Sequence, residues 1–247
     1  MTERLAAPFA LPASGRAQVY VLPEAATVPP DFALQAARWL SQEEQLRWQR
    51  LLQPADRRRF LLSRLLLRGV LSQLAGVEAA ELQFERSASG KPWLAAPQRE
   101  PTLEFNLSHT PGLLALAVSQ ASAIGVDVES EERAVAALAL AERYFTAAEA
   151  AELRALGGAA RRTQFFRLWT LKEAYLKACG NGLSQGLDAC EFAFTADGEP
   201  RLLRAPDDPQ RWSCHVRSLG KLQLAVAVAR PATALDLLEV EPGDLFR

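Results

Sequence analysis

One pattern occurs twice in this chain and limits its fold more than any other feature. An amphipathic helix over 56–74 leads into about three antiparallel strands. A second, over 163–179, leads into about three more, and the two helices are spaced by roughly half of the 247 residues. No Pro- or Ser-rich linker separates the repeats. The pattern predicts an α+β protein built as a pseudo-twofold duplication of two similar helix-plus-antiparallel-sheet halves, 1–121 and 122–247. A cleft is expected at their junction, where small-molecule sites tend to form.

Within the first half, residues 17–22 alternate as an opening strand, and Pro29-Pro30 closes it with a turn. Ser41-Gln-Glu-Glu44 is a capping box that starts a helix through Arg47, Trp48, Arg50 and Leu51, with Pro54 as its interruption. Asp56 is then expected to cap the long helix to about Leu74, whose leucine stripe is flanked by Arg57, Arg58, Arg59, Arg64 and Arg68. Such a basic face is ordinarily solvated, although with Arg47 and Arg50 it could hold phosphates. Strands at 103–109, 113–119 and 123–129 read as an antiparallel meander. Two-residue periodicity puts Asp127 and Glu129 on one face of the last strand and Val126 and Val128 on the other.

In the second half, residues 138–143 read as helix. Thr146-Ala-Ala-Glu149 is another capping box, Gly157-Gly158 ends that helix, and Thr163 begins the next. Strands follow at 190–194, 212–219 and 222–229, then a polar tail after Pro231.

The 49% hydrophobic composition suits a large core, and a net charge of −1 with pI near 6.2 offers no global attraction to nucleic acid or anionic membrane. Met1 to Ser14 is broken by Pro8 and Pro12 and lacks a signal-type apolar core. No apolar run approaches the length of a membrane span. Cys179, Cys190 and Cys214 show no CxxC spacing and read as free thiols. The expectation is a soluble, cytoplasmic protein.

The chemistry is expected at Trp169-Thr-Leu-Lys172-Glu173-Ala-Tyr-Leu-Lys177, stopped by Gly180-Asn181-Gly182. At 3.6 residues per turn, Trp169, Glu173 and Lys177 share one stripe. A Glu–Lys pair at i,i+4 is common helix support, contributing about 0.2–0.5 kcal/mol. The chain, however, has four lysines against twenty-four arginines, and two of the four stand here. A compact point charge is therefore being used selectively. Two carboxylates on one strand face repel unless a cation lies between them, and hard oxygen ligands suit Mg²⁺.

Gly125-Val-Asp127-Val-Glu129 together with the 169–177 stretch resembles the paired signature of the 4'-phosphopantetheinyl transferases. Gly90-Lys91-Pro92 and Asn106-Leu-Ser108-His109 fit the same family in the right order. The length and duplication resemble the monomeric, surfactin-synthetase-activating (Sfp-type) branch. The resemblance implies transfer of 4'-phosphopantetheine from coenzyme A to a serine of an acyl or peptidyl carrier protein, releasing 3',5'-ADP. It further implies a nucleotide-binding first half and a metal-binding, catalytic second half. Asp127, Glu129 and Glu173 would hold Mg²⁺, with Mn²⁺ an open alternative. Glu173 would act as or orient the base, and Lys177, with Lys172 as second candidate, would stabilise the departing 3',5'-ADP. Arg50 and His109 match 3'-phosphate positions, joined by Arg59. Ser108 and Lys91 match positions lining the nucleotide pocket, and Gly182-Leu183-Ser184 matches the loop after the catalytic helix.

Two rivals stand beside this reading. Another Mg²⁺-dependent nucleotide phosphotransferase is disfavoured by the lack of a Gly-rich phosphate loop. An Arg-rich nucleic-acid-binding module is disfavoured by the acidic pI and the absence of interleaved aromatics.

Overall fold

The computed structural model describes residues 3–4, 9–28, 31–96, 102–180 and 186–246. After a two-residue strand β1 (Glu3–Arg4), the chain runs β2 (Arg16–Pro23), α1 (Phe32–Arg38), α2 (Gln42–Arg50), α3 (Pro54–Ala75), β3 (Phe84–Arg86), β4 (Pro92–Leu94), β5 (Leu103–Thr110) and β6 (Leu113–Gln120). It then repeats the order with β7 (Ile124–Ser130), α4 (Ala137–Tyr144), α5 (Ala147–Ala155), α6 (Gly158–Cys179), β8 (Glu191–Phe194), β9 (Pro200–Arg204), β10 (Ser213–Leu219) and β11 (Leu222–Val228). Finally β12 (Ala234–Glu239) and α7 (Pro242–Leu245) return to the first half. In one sheet β2-β6-β5 lie side by side, and in the other β7-β11-β10 do the same, each half adding a two-stranded ribbon, β3-β4 or β8-β9. The α+β class and the pseudo-twofold duplication are both present. Each long helix leads into four strands, not about three: in the first half the ribbon β3-β4 precedes β5-β6, and in the second β9 completes the ribbon that β8 begins.

The helix boundaries follow local chemistry, with two corrections. Ser41 and Thr146 each form a complete capping box with Glu44 and Glu149. Asp56 is not the cap of α3: Gln53 holds that position, Pro54 opens the first turn, where a missing N–H costs nothing, and Asp56 lies two residues further in the same turn, bonded to Arg59. The helix α6 begins at Gly158, five residues before Thr163. The capping Gly180 has φ 73°, while Asn181 and Gly182 lie outside the described residues.

Three apolar clusters hold the layers. Leu61, Leu62, Leu65, Leu66 and Leu71 of α3 pack on Tyr20, Leu22, Phe105 and Leu116. On α6, Phe165, Phe166, Leu168, Leu171 and Tyr175 pack with Val216, Ala225 and Ala227. Val19, Val21, Ala115, Val126, Val128 and Val226 fill the space between the sheets. Each fully buried aliphatic side chain contributes about 1.5–3 kcal/mol.

The capping boxes do more than start helices. Glu44 reaches α3 and binds Arg68 at 2.7 Å, while Glu149 reaches α6 and binds Lys172 at 2.7 Å. Each cation also holds two carbonyls of the segment after its helix: Ala79 and Leu82 for Arg68 (2.8 and 3.0 Å), Leu187 and Cys190 for Lys172 (2.9 and 2.5 Å). Arg68 is 1% exposed and is therefore no part of a solvated face.

Topology departs from the local reading in two places. β5 and β6 form the expected hairpin, but β7 does not continue the meander. Both edges of β6 are already taken by β5 and β2, so β7 pairs with β11 in the other sheet. The tail after Pro231 is not merely polar. The open edge of β2 accepts β12 in parallel register, and Leu235 and Leu237 pack against the cluster between the sheets. The three cysteines are free, and no described helix is long and apolar enough to cross a membrane.

Candidate active site

The site rests on a close approach of β7 to α6. A Cβ at Gly125 would stand 2.1 Å from the Ala174 carbonyl oxygen and 2.4 Å from the Ala178 nitrogen, so only glycine lets this strand lie on this helix. Alternation then aims Asp127 and Glu129 at the helix, and one turn of α6 offers Glu173 and Lys177 to them.

Asp127 is 5% exposed. Its Oδ1 accepts from Lys177 Nζ at 2.6 Å and from Ser108 Oγ at 2.9 Å, and Lys177 also reaches Ser108 Oγ at 3.1 Å and the Val126 carbonyl at 3.3 Å. Its Oδ2 is buried without a hydrogen-bond partner among the described residues. Glu129 accepts from Arg133 at 2.9 Å, yet its carboxyl is pushed up by burial and then by Asp127, which outweigh Arg133. Glu173 is pushed up to about 7, first by burial and then by the Asp127 charge, with Lys177 opposing. Among the described residues no three His, Cys, Asp or Glu side chains are already gathered as a metal cage, and the cation seated against Asp127 is Lys177. An orphaned buried carboxylate oxygen beside two carboxyls that resist ionising is a donor set short of positive charge, which an oxygen-preferring divalent ion fits.

On the first half, a hollow of about 240 Å³ is lined by Arg47, Arg59, Ser63, Arg64 and His109, with Phe60 as its apolar wall. Glu24 at 2.9 Å and Asp56 at 3.2 Å fix Arg59. His109 is held below its usual pKa by desolvation and then by Arg59, Lys177 and Arg64, so the ring is neutral until an anion arrives. Beside it a cleft of about 540 Å³ runs past Arg64, Phe84, Arg86, Pro92 and Phe105.

The expected residues divide accordingly. Asp127, Glu129, Glu173 and Lys177 meet at one patch, and Arg59 and His109 line the hollow. Arg50 is exposed at the end of α2 and lines neither space; Arg47 and Arg64 do so instead. Ser108 faces Asp127 and Lys177, because residues 106 and 108 of β5 point to β7 while 105, 107 and 109 point to α3. Lys91 donates to the carbonyls of Ile124 and Ala178 at 3.1 and 3.2 Å, tying the β3-β4 ribbon to the start of β7 and the end of α6. Lys172 is corrected outright: at 0% exposure and paired with Glu149, it belongs to the core of the second half and cannot reach a leaving group. Residues 182–184 lie outside the described residues. Arg64 was hidden among five similar arginines on one helix, and only its neighbours distinguish it.

The family model described as the 4'-phosphopantetheinyl transferase superfamily matches residues 123–229, and that described as 4'-phosphopantetheinyl transferase, N-terminal, matches residues 28–121. The 4'-phosphopantetheinyl transferase HetI of Nostoc sp. is 39% identical over 178 residues, covering 72% of this chain and 75% of that one. The transferase psf-1 of Bacillus pumilus is 34% identical over 180 residues, covering 72% and 74%. The transferase Sfp of Bacillus subtilis is 28% identical over 230 residues, covering 87% and 99%. The chain thus belongs to the 4'-phosphopantetheinyl transferase superfamily, in its Sfp-type branch.

Proposed function

We propose that this protein moves 4'-phosphopantetheine from coenzyme A to a serine hydroxyl of an acyl or peptidyl carrier protein, giving holo carrier and 3',5'-ADP. The observation that carries the chemistry is the orphaned Oδ2 of Asp127 in a patch of three carboxylates whose charge Lys177 and Arg133 do not balance. Family membership supplies the reaction.

The halves divide the work. In the first, Arg47, Arg59, Arg64 and His109 hold the 3'-phosphate, where charge-assisted hydrogen bonds contribute about 1.5–3 kcal/mol each. The neighbouring cleft takes the rest of the nucleotide. In the second, Asp127, Glu129 and Glu173 would hold Mg²⁺ or Mn²⁺, which when bound neutralises charge on the pyrophosphate oxygens. Glu173, which would give up its own proton when a divalent ion binds, accepts that of the serine hydroxyl as its oxygen bonds to phosphorus. Lys177 offsets the charge gathering on the departing 3',5'-ADP as the pyrophosphate P–O bond breaks. Since one chain carries both halves, it acts as a monomer in the cytoplasm, with coenzyme A and the carrier as its partners.

Mass spectrometry tests this directly. An apo carrier domain incubated with the protein, coenzyme A and Mg²⁺ should gain one phosphopantetheinyl group on its serine with an equal amount of 3',5'-ADP. An unmodified carrier after exhaustive incubation would refute the assignment.

A further inference from the structure

Lys177 is the best-anchored partly exposed cation in the patch, with 30% of its side chain accessible and an ammonium held by Asp127 Oδ1, Ser108 Oγ and the Val126 carbonyl. Asp127 therefore gives one oxygen to Lys177 and Ser108 and keeps the other unpartnered. Two cations have a claim on this carboxylate, the tethered ammonium and a divalent ion, and like charges this close oppose each other. Pyrophosphate attracts both. A lysine ammonium on a flexible four-carbon stem can follow a new anion, which the fixed fork of an arginine does less readily.

We propose that Lys177 is a built-in counter-ion that competes with the divalent ion for Asp127 and is drawn off it by the pyrophosphate of coenzyme A, so that substrate and metal bind with positive coupling through Lys177. This rests on the transferase reading above and adds to it an order of events. Before coenzyme A arrives, Lys177 offsets part of the charge of the acidic patch at Asp127 and keeps it weak for metal. Once coenzyme A is bound, the same ammonium serves the phosphates and Asp127 is released. Because coupling free energies are reciprocal, the metal tightens coenzyme A by the same factor.

The experiment measures Mn²⁺ binding by electron paramagnetic resonance, with and without coenzyme A and with no carrier protein, so nothing turns over. Lys177→Met should bind Mn²⁺ alone at least about tenfold more tightly than the wild type, the floor expected from removing a unit charge beside a ligand oxygen. The tightening caused by coenzyme A should shrink by a similar factor. Lys177→Arg, which keeps the charge, should bind Mn²⁺ alone no more tightly than the wild type. Unchanged or weaker Mn²⁺ binding by Lys177→Met overturns the proposal. Should that variant fail to fold, the ¹⁵Nζ resonance of Lys177 in the wild type decides: coenzyme A should shift it, and an unmoved signal in the saturated complex overturns the proposal equally. Failure of coenzyme A to bind the wild type would instead refute the transferase reading, whereas normal binding with undiminished coupling in Lys177→Met refutes this inference alone.

Discussion

The helices α3 and α6 are the same device used twice, and their differences separate architecture from chemistry. Both have 22 residues, both end at a glycine in the left-handed conformation, and both carry at the fifteenth position a buried cation paired with the glutamate of the preceding capping box. Arg68 and Lys172 are thus equivalent structural locks. One residue further on, α3 has Gly69 and α6 has Glu173; five further on, α3 has Gln73 and α6 has Lys177. The strands beneath repeat the contrast. Tyr20 lies opposite Leu116, the fourth residue of β6, as Asp127 lies opposite Ala225, the fourth residue of β11. By that register Leu22 matches Glu129. In the first half the corresponding positions hold Tyr, Leu, Gly and Gln, and α3 packs there against β5, β6 and α7, with Gly69 beside Leu245 and Gln73 donating to the Asp244 carbonyl; the charges at 127, 129, 173 and 177 have no counterpart among them.

The sharpest way to break this comparison is through the two locks. Lys172→Met should destabilise the protein by about 3–5 kcal/mol, since it strands Glu149 without a counter-charge at 1% side-chain exposure. Pairing it with Glu149→Gln should recover part of the loss, since the uncharged amide keeps an oxygen for the backbone N–H groups of Thr146 and Phe192. Arg68→Met should cost less, because Glu44 is 13% exposed and keeps Arg64 at 3.2 Å. Chemical denaturation of the three variants checks the ranking. Equal losses for Lys172→Met and Arg68→Met would mean that the locks differ from this description.

A smaller effect sharpens the contrast from the acidic side. The Glu173 carboxyl sits near 7 when folded against about 4.5 when unfolded, so between these values the folded protein holds a proton that the unfolded chain has lost. Metal-free stability should therefore fall as pH rises through that window, the reverse of a carboxylate stabilised as its ion. Binding a divalent ion must expel the proton, so metal affinity should rise with pH by up to about tenfold per unit below 7 and level off above it. Calorimetry in buffers of different ionisation enthalpy counts the proton released. Glu173→Gln should weaken both dependences, leaving the smaller part that Glu129 contributes.

Much of this was legible in the residues themselves. The capping boxes, the alternation that pairs Asp127 with Glu129, and the stripe joining Glu173 to Lys177 are local patterns, and they survive folding because neighbours along the chain determine them. Partner choice was not legible. Nothing in residues 123–129 says that β6 has no free edge, and nothing in 234–239 says that β2 has one. Lys172 was misread for a related reason. Its helical position turns it away from the Glu173 stripe, but its partner Glu149 lies on another helix, already assigned to a local capping role. Asp56 lost the cap to Gln53, which precedes a proline whose fixed φ suits the first turn, and Arg50 falls outside the hollow that Arg47 and Arg64 line through tertiary placement alone.

The claim that Asp127 and the charges it meets on β7 and α6 serve chemistry and not folding is tested most directly with Asp127→Asn, by measuring denaturant stability and single-turnover transfer on one preparation. The expected result is stability within about 1 kcal/mol of the wild type, since a polar, isosteric side chain keeps its hydrogen bond to Ser108, with transfer slowed by at least about 10²–10³-fold through loss of charge at the reacting phosphate. A variant that unfolds, or one that transfers at near wild-type rate, would contradict it.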